Sequence, residues 1–510
     1  MTESAPRLLY GPGARTPEPS LDVPAWAVDL RLDELAPALG AGETGLQRLA
    51  VLLVPLPDAE AVAFRAAVFE DLDRPSLAGA FRSFGDVLAG VRTTLARAAR
   101  MRHAAERDRW VLDALERHDA AVEALAAALK ATPPASAALR AVAAHLDALL
   151  ASERFRARRA DVAATRAALD GVAFRLRIGE QRVLVSAPRE EADLAAEIRE
   201  AFARIRDGDP EPLRVDVFDT LDMSPLDSAI LARVATLAPE PFARLAQTTA
   251  AHREVVDPVL AAIAEDAAWY LAVLDVLAPL REAGLPVIPP ALRDDGALAV
   301  EGLVDLVLAR RLVADGRVVR ASALRLEPGE RTVIITGPGQ GGRTSLARAI
   351  GQLHVLAAAG CPVPAASAAV PLVDRVATVF DRPERLDDPG GRLRTELRRI
   401  RSMLAAAGPR TLVIANEPFA STTAADALAL ARRLLGALRE RGARVVAVTF
   451  LEELAADPAS VSVAAAVDPA DPAARTFRFE RRPADGLAHA QLLAARYGLD
   501  GAAIRRRVQQ

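Results

Sequence analysis

The stretch TVIITGPGQGGRTSLARAIG, residues 332–351, decides how the C-terminal part of the chain is read. Its apolar opening, TVIIT, has the length and β-branched content of a buried strand. The run breaks into Gly337, Pro338, Gly339, Gln340, Gly341 and Gly342, and a helical pattern opens at Arg343. A glycine-rich turn of this kind lets backbone N–H groups close around a phosphate, at a helix N-terminus whose dipole favours anions. Thr344 stands where a hydroxyl would hold magnesium, with Ser345 beside it. A chance glycine-rich turn has the same composition; the order strand, loop, helix is what favours a phosphate loop. Arg343 occupies the place of the phosphate-gripping lysine. Arginine keeps the charge, but its planar fork is larger than an ammonium and fits a tight cradle poorly. Lys130 is the only lysine in the chain, so arginine at 343 also follows a general usage.

A second element, TLVIANEPFASTT at 411–423, ends an apolar strand in Asn416 and Glu417. Many phosphate-loop ATPases place a magnesium-directing Asp and a water-orienting Glu at such a strand end. Asn416 takes the place of that Asp, and an amide supports a metal-bound water without charge, so magnesium is expected to bind less firmly. Glu417 is the candidate catalytic carboxylate and, with Thr344, a candidate metal contact. Thr423, just before AADALALA, is a helix N-cap by residue type.

Together, ITGPGQGGRTSLARAIGQLHVLAAAGCPVPA, LVIANEPFASTTAADALALARRLLGAL and VVAVTFLEEL resemble the ATPase domain of the DNA mismatch repair MutS family, in motif order and spacing from about 330 to 455. RRPADGLAHAQLLAARYGL is similar to that family's closing segment, and the helical region further upstream resembles its core and lever helices in organisation. The resemblance implies ATP and Mg2+ as cofactors, a P-loop ATPase of the ABC type, and a homodimer. In that dimer a signature segment of the opposite subunit completes each nucleotide site. Ser421, Thr422 and Thr423 match the segment, so their hydroxyls are expected near the partner's γ-phosphate. Phe450 ends VVAVTF where mismatch repair ATPases carry a histidine that senses the γ-phosphate. With Arg343, Asn416 and Phe450 in these places, nucleotide binding is expected to survive better than hydrolysis. The phosphate loop begins at Gly337, which leaves too little chain for the family's mismatch-reading and connector domains, and no Phe-x-Glu element is found upstream. Mismatch recognition by this chain alone is not expected.

Composition sets the wider frame. The chain has 510 residues, 51% of them hydrophobic and only 4% aromatic, which points to helices packed through small residues and to more than one domain. A net charge of −3 argues against an overall polyanion binder. One cysteine, Cys361, excludes a disulfide framework or a thiolate metal site within the chain. No signal sequence opens it and no apolar run reaches the roughly 18 residues of a membrane span, so a cytoplasmic protein is expected. Residues 1–58 read as an N-terminal segment, mostly irregular to about 40 and ending there in a short element at VDLRLDEL, 28–35, and 59–296 as a helical core and lever domain with a β-hairpin near 172–188. Residues 297–510 read as an α/β P-loop domain with a largely parallel sheet, and 283–296 as a linker. A further helix is expected over about 190–207.

Arginine clusters occur at Arg97, Arg100 and Arg102, at Arg154, Arg156, Arg158 and Arg159, and at Arg394, Arg398, Arg399 and Arg401. Each could contact DNA phosphates, but the interleaved acids favour solvated helix faces. His354 and His489 read as packed helix residues, and no zinc constellation exists. Two functions follow: a dimeric, DNA-linked MutS-related protein with weak ATP hydrolysis, or a non-catalytic relative that uses nucleotide as a structural ligand.

Overall fold

The computed structural model of the chain describes residues 6–11, 20–178, 182–188, 224–337, 342–380, 391–467, 475–484 and 505. They fall into two compact units, one drawn from Met1–Pro75, Pro134–Leu139 and Asp266–Gln510, the other from Ser76–Pro133 and Arg140–Glu265. This division differs from a single cut at 296, because N-terminal residues pack into the same unit as the phosphate-loop region.

The second unit is built from long helices, among them Ala104–Ala131, Glu153–Asp170, Pro225–Leu237 and Pro239–Ala251. Apolar residues recurring at three and four positions give each helix one face to bury. Leu112, Leu115, Val162, Leu245 and Val255 close that core. Thr165 and Thr248 share a hydroxyl hydrogen bond of 2.8 Å inside it. Ser152 and Ser224 start two of the helices by accepting backbone N–H groups with their side chains. Short strands Arg175–Ile178 and Val183–Ser186 pair antiparallel. The helix expected over 190–207 lies outside the described residues.

In the first unit the α/β part carries ten strands among the described residues, β1 (Ala291–Arg293), β2 (Leu298–Leu303), β3 (Ser322–Leu326), β4 (Thr332–Thr336), β5 (Ser367–Pro371), β6 (Arg375–Phe380), β7 (Thr411–Asn416), β8 (Arg444–Val448), β9 (Val461–Val467) and β10 (Arg475–Arg481). The larger sheet runs β10-β9-β4-β8-β7-β6, parallel throughout except for the antiparallel edge strand β10. Every residue of β4 and β8 is buried, which is why their sequences are continuous apolar runs rather than alternating ones. Helices α1 (Leu306–Ala314), α2 (Arg343–Ala358), α3 (Gly391–Ala406) and α4 (Ala424–Glu440) accompany the strands. Ala427, Ala431, Leu434 and Leu438 of α4 pack with Val413 and Val445 of the sheet.

The smaller sheet runs β1-β5-β2-β3, and it corrects the reading of 283–296 as a linker. Ile288 bridges to Val363, and β1 pairs parallel with β5, Ala291 opposite Ala369. Proline and glycine content suggests a free connection, but these backbone groups are satisfied by partners far along the chain.

Among the described N-terminal residues, helices form at Ala25–Asp29, Ala36–Leu39 and Glu43–Leu53, and a short 3-10 turn at Leu32–Leu35 falls within the element expected at 28–35. Arg7 forms a two-bonded pair with the buried Asp266, and Tyr270 Oη donates to the Leu8 carbonyl at 2.5 Å. Arg65, 1% exposed, donates to the carbonyls of Leu9 and Ala359 and lies over the rings of Tyr10 and Trp269.

Candidate functional site

The C-terminal ends of β4, β7 and β8 converge where an open α/β sheet presents its ligand crevice. Asn416, the last residue of β7, stands in register with Val448 of β8 on one side and Phe380 of β6 on the other. β4 ends at Thr336 and the chain turns at Gly337, whose φ of 128° and close approach to Ala465 exclude a side chain: a Cβ there would lie 2.7 Å from the Ala465 Cβ. Gly342 is the N-cap of α2 in a left-handed conformation, φ 89° and ψ 3°. The intervening Pro338, Gly339, Gln340 and Gly341 lie outside the described residues. Strand, turn and helix thus succeed one another as the sequence predicts, with the positive end of α2 facing the crevice.

Thr344 Oγ1 donates to Asn416 Oδ1 at 2.9 Å, so the proposed hydroxyl and amide are neighbours. Both are neutral, and no cluster of three or more acidic, His or Cys side chains occurs among the described residues. This donor set fits a magnesium ion that arrives with the phosphates of a nucleotide; it does not fit a metal held by protein groups alone.

Arg343 is 6% exposed and its guanidinium meets three groups. Nη1 donates to the Thr449 carbonyl at 3.0 Å, Nη2 lies 3.1 Å from Glu417 Oε1, and the group sits 4.2 Å from the centroid of the Phe450 ring. Burial pushes the Glu417 carboxyl above the usual carboxylate range, while the Arg343 charge and the Phe450 backbone N–H pull it back. Burial likewise lowers the Arg343 pKa, with Glu417 opposing. Two of the exchanged positions, Arg343 and Phe450, therefore belong to one contact with the candidate catalytic carboxylate. In the sequence they stand as separate losses.

The loop after β7 is unusual in its backbone. Glu417 has φ 50° and Phe419 φ 62°, both in the region that favours glycine. Phe419 is 1% exposed, and its N–H donates at 2.9 Å to Glu396 Oε1 of α3. Burial of the ring and this charge-assisted bond hold a conformation that a bulky residue otherwise avoids. Beyond it, Thr423 caps α4 by accepting from the Asp426 N–H at 3.3 Å. Ser421 is exposed and Thr422 half-buried.

A cavity of about 760 Å³ adjoins Gly342, Arg343, Thr344 and Ser345 and extends to Leu308, Leu312, the stretch Gly316–Arg320 and Phe479. That volume lies within the roughly 300–1,000 Å³ typical of small-ligand pockets. Sequence reasoning missed its far wall. The sequence signal available was the valine pair set in the polar stretch DGRVVRAS, of which Val318 is 73% exposed in the structure.

Several of the other residues singled out in the sequence have local partners. Arg158 pairs with Asp119, Arg159 with Glu123, and Arg154 lies 3.5 Å from Glu254. Cys361 is buried and its thiol is pushed up to about 12, which leaves no thiolate for chemistry at neutral pH. His489 lies outside the described residues. His354 is packed within α2, its Nδ1 2.9 Å from the Ile350 carbonyl, and burial lowers its pKa to about 4. The unfolded chain, with histidine near 6.5, binds this proton first, so stability is expected to fall as pH drops from about 6.5 towards 4. His354→Leu should flatten that acid limb, read as unfolding midpoints between pH 7 and 4.5. An unchanged slope would show that another group carries it.

Comparison with known proteins bears on this same region. Residues 333–502 match the family model of MutS domain V. The DNA mismatch repair protein MutS of Granulibacter bethesdensis is 33% identical over 189 residues, 36% of this chain and 20% of that protein. Endonuclease MutS2 of an Anaeromyxobacter species is 32% identical over 200 residues, 38% of this chain and 25% of that protein. Endonuclease MutS2 of Clostridium botulinum is 28% identical over 157 residues, covering 31% and 20%. The chain thus spans between a fifth and a quarter of the length of these relatives. Through its C-terminal part, which carries the β4 turn and the Asn416–Glu417 strand end, the chain is a MutS-related protein.

Proposed function

We propose that the chain binds MgATP through a P-loop domain of the ABC type and works as a homodimer in a DNA-linked process, repair or recombination, with slow hydrolysis. A cytoplasmic setting belongs to the same proposal. The carrying observation is the passage from β4 through Gly337 and Gly342 into α2, with Thr344 against Asn416 at the adjoining strand end. That arrangement supports phosphates at a helix N-terminus, and the neighbouring cavity supports a base and ribose. No helix among the described residues is long and apolar enough to cross a membrane. DNA contact rests on the relatives' names and the exposed arginines rather than on a built site.

The pairing of Glu417 with Arg343 favours a second reading, a relative that binds nucleotide without turning it over. A nucleotide titration combined with steady-state phosphate release separates the two. Binding with turnover supports the first, binding without turnover the second, and absence of binding removes the nucleotide reading.

Exposed Ser421 and the Thr423 cap fit a role in trans as well as a local one. A site completed by the partner makes a mixing experiment informative. Glu417→Gln chain keeps its signature, and Ser421→Arg chain keeps its carboxylate. Mixed dimers contain one site with both native halves, so ATP hydrolysis above that of either variant alone is expected. Two variants that stay inactive in demonstrated heterodimers would exclude a shared site.

A further inference from the structure

Arg343, Glu417 and Phe450 come from the start of α2, the loop after β7 and the loop after β8, yet they form one closed contact. The guanidinium has the Thr449 carbonyl at 3.0 Å, the Glu417 carboxylate at 3.1 Å and the Phe450 ring face at 4.2 Å from its centre. Its planar fork and its preference for aromatic faces explain why arginine, rather than lysine, suits this place. Phe450 is nevertheless 65% exposed, so one ring face covers Arg343 while most of the side chain stands in solvent. Such a ring can swing away without opening the core. Arg343 directly follows Gly342, the N-cap at which phosphates would gather.

Resting on the nucleotide reading above, we infer that Arg343, Glu417 and Phe450 form a plug that a γ-phosphate displaces, so that triphosphate entry and release of the Glu417 carboxylate are one event. A γ-phosphate carries more charge than a carboxylate and can take the same guanidinium in bidentate fashion. A diphosphate lacks the γ-phosphate that takes the guanidinium from Glu417, so it leaves the contact closed. The plug thereby lowers the apparent affinity for triphosphate by the fraction of molecules in which it is open. It also keeps Glu417 paired with Arg343 until a triphosphate has arrived.

The test uses the full chain with Mg2+, the non-hydrolysable β,γ-imido analogue of ATP, and ADP, in parallel calorimetric titrations. Glu417→Gln removes the ionic partner, and Phe450→Ala removes the exposed lid with little risk to folding. If the closed state is favoured about ten to one, each variant should bind the imido analogue about tenfold more tightly than the native chain. ADP affinity should stay within about twofold, because a ligand that meets both states equally shifts neither. Native binding with no tightening in either variant, or equal tightening for ADP, would overturn the plug while leaving the nucleotide site in place. Absence of binding in all three proteins would overturn both.

Discussion

Gly342→Val is expected to lower MgATP affinity by about a hundredfold or more, the equivalent of roughly 2.7 kcal/mol. Two effects combine. Gly342 holds φ 89° at the N-cap of α2, a conformation that a β-branched residue adopts only with strain of order 1–3 kcal/mol. The valine side chain would also stand at the helix N-terminus, where backbone N–H groups must meet the phosphates directly. Equilibrium titration with a fluorescent ATP analogue measures the loss, with a circular-dichroism melt to show that the fold persists. Equal affinity in a folded variant would place the nucleotide elsewhere.

Arg65→Ala should destabilise the first unit by about 3–5 kcal/mol, the combined order of two carbonyls left without a donor and a large-to-small change in the core. The guanidinium satisfies two carbonyls, those of Leu9 and Ala359, and lies over the rings of Tyr10 and Trp269. Truncation leaves both carbonyls without this donor and opens a cavity beside the aromatic cluster of Phe69, Trp269 and Tyr270. Arg65→Met, which refills the volume but supplies no donor, should recover part of the loss. Denaturant midpoints for the three proteins check this, and a shift worth less than about 1 kcal/mol would mean that Arg65 does not anchor the N-terminal residues.

The phosphate-loop region is legible in sequence because its signals are local. A buried parallel strand reads as an apolar run, and a glycine-rich turn set between such a strand and a helical pattern is the context that a phosphate loop requires. β4, β7 and β8 stand out for that reason, at 332–336, 411–416 and 444–448. What depends on distant partners is not legible. β1 is three residues long and exists because β5 pairs with it. The ties of Arg7 to Asp266 and of Arg65 to Ala359 join positions more than 250 apart. In the site, Asn416 and Glu417 are recognisable as a strand end, but nothing in their neighbourhood announces that Arg343 turns to Glu417 and stacks on Phe450. Residue types alone suggest three independent losses; distance and burial show that two of them, Arg343 and Phe450, close on Glu417 together.

Helix α2 has a mechanical consequence. From Arg343 to Ala358 only Thr344, Ser345 and Arg348 are partly exposed; everything else is buried. Gln352 pins its middle by donating to the Leu30 carbonyl and accepting from the Leu306 N–H. Its 16 residues span about 24 Å, and just past its last turn the Ala359 carbonyl is held by Arg65, which in turn holds Leu9. A rod clamped on all sides does not bend. It either stays or slides as a piece, so a push at Gly342 is delivered at the far end to the strap of residues 7–10, much as a piston delivers its stroke to whatever is pinned at its other end.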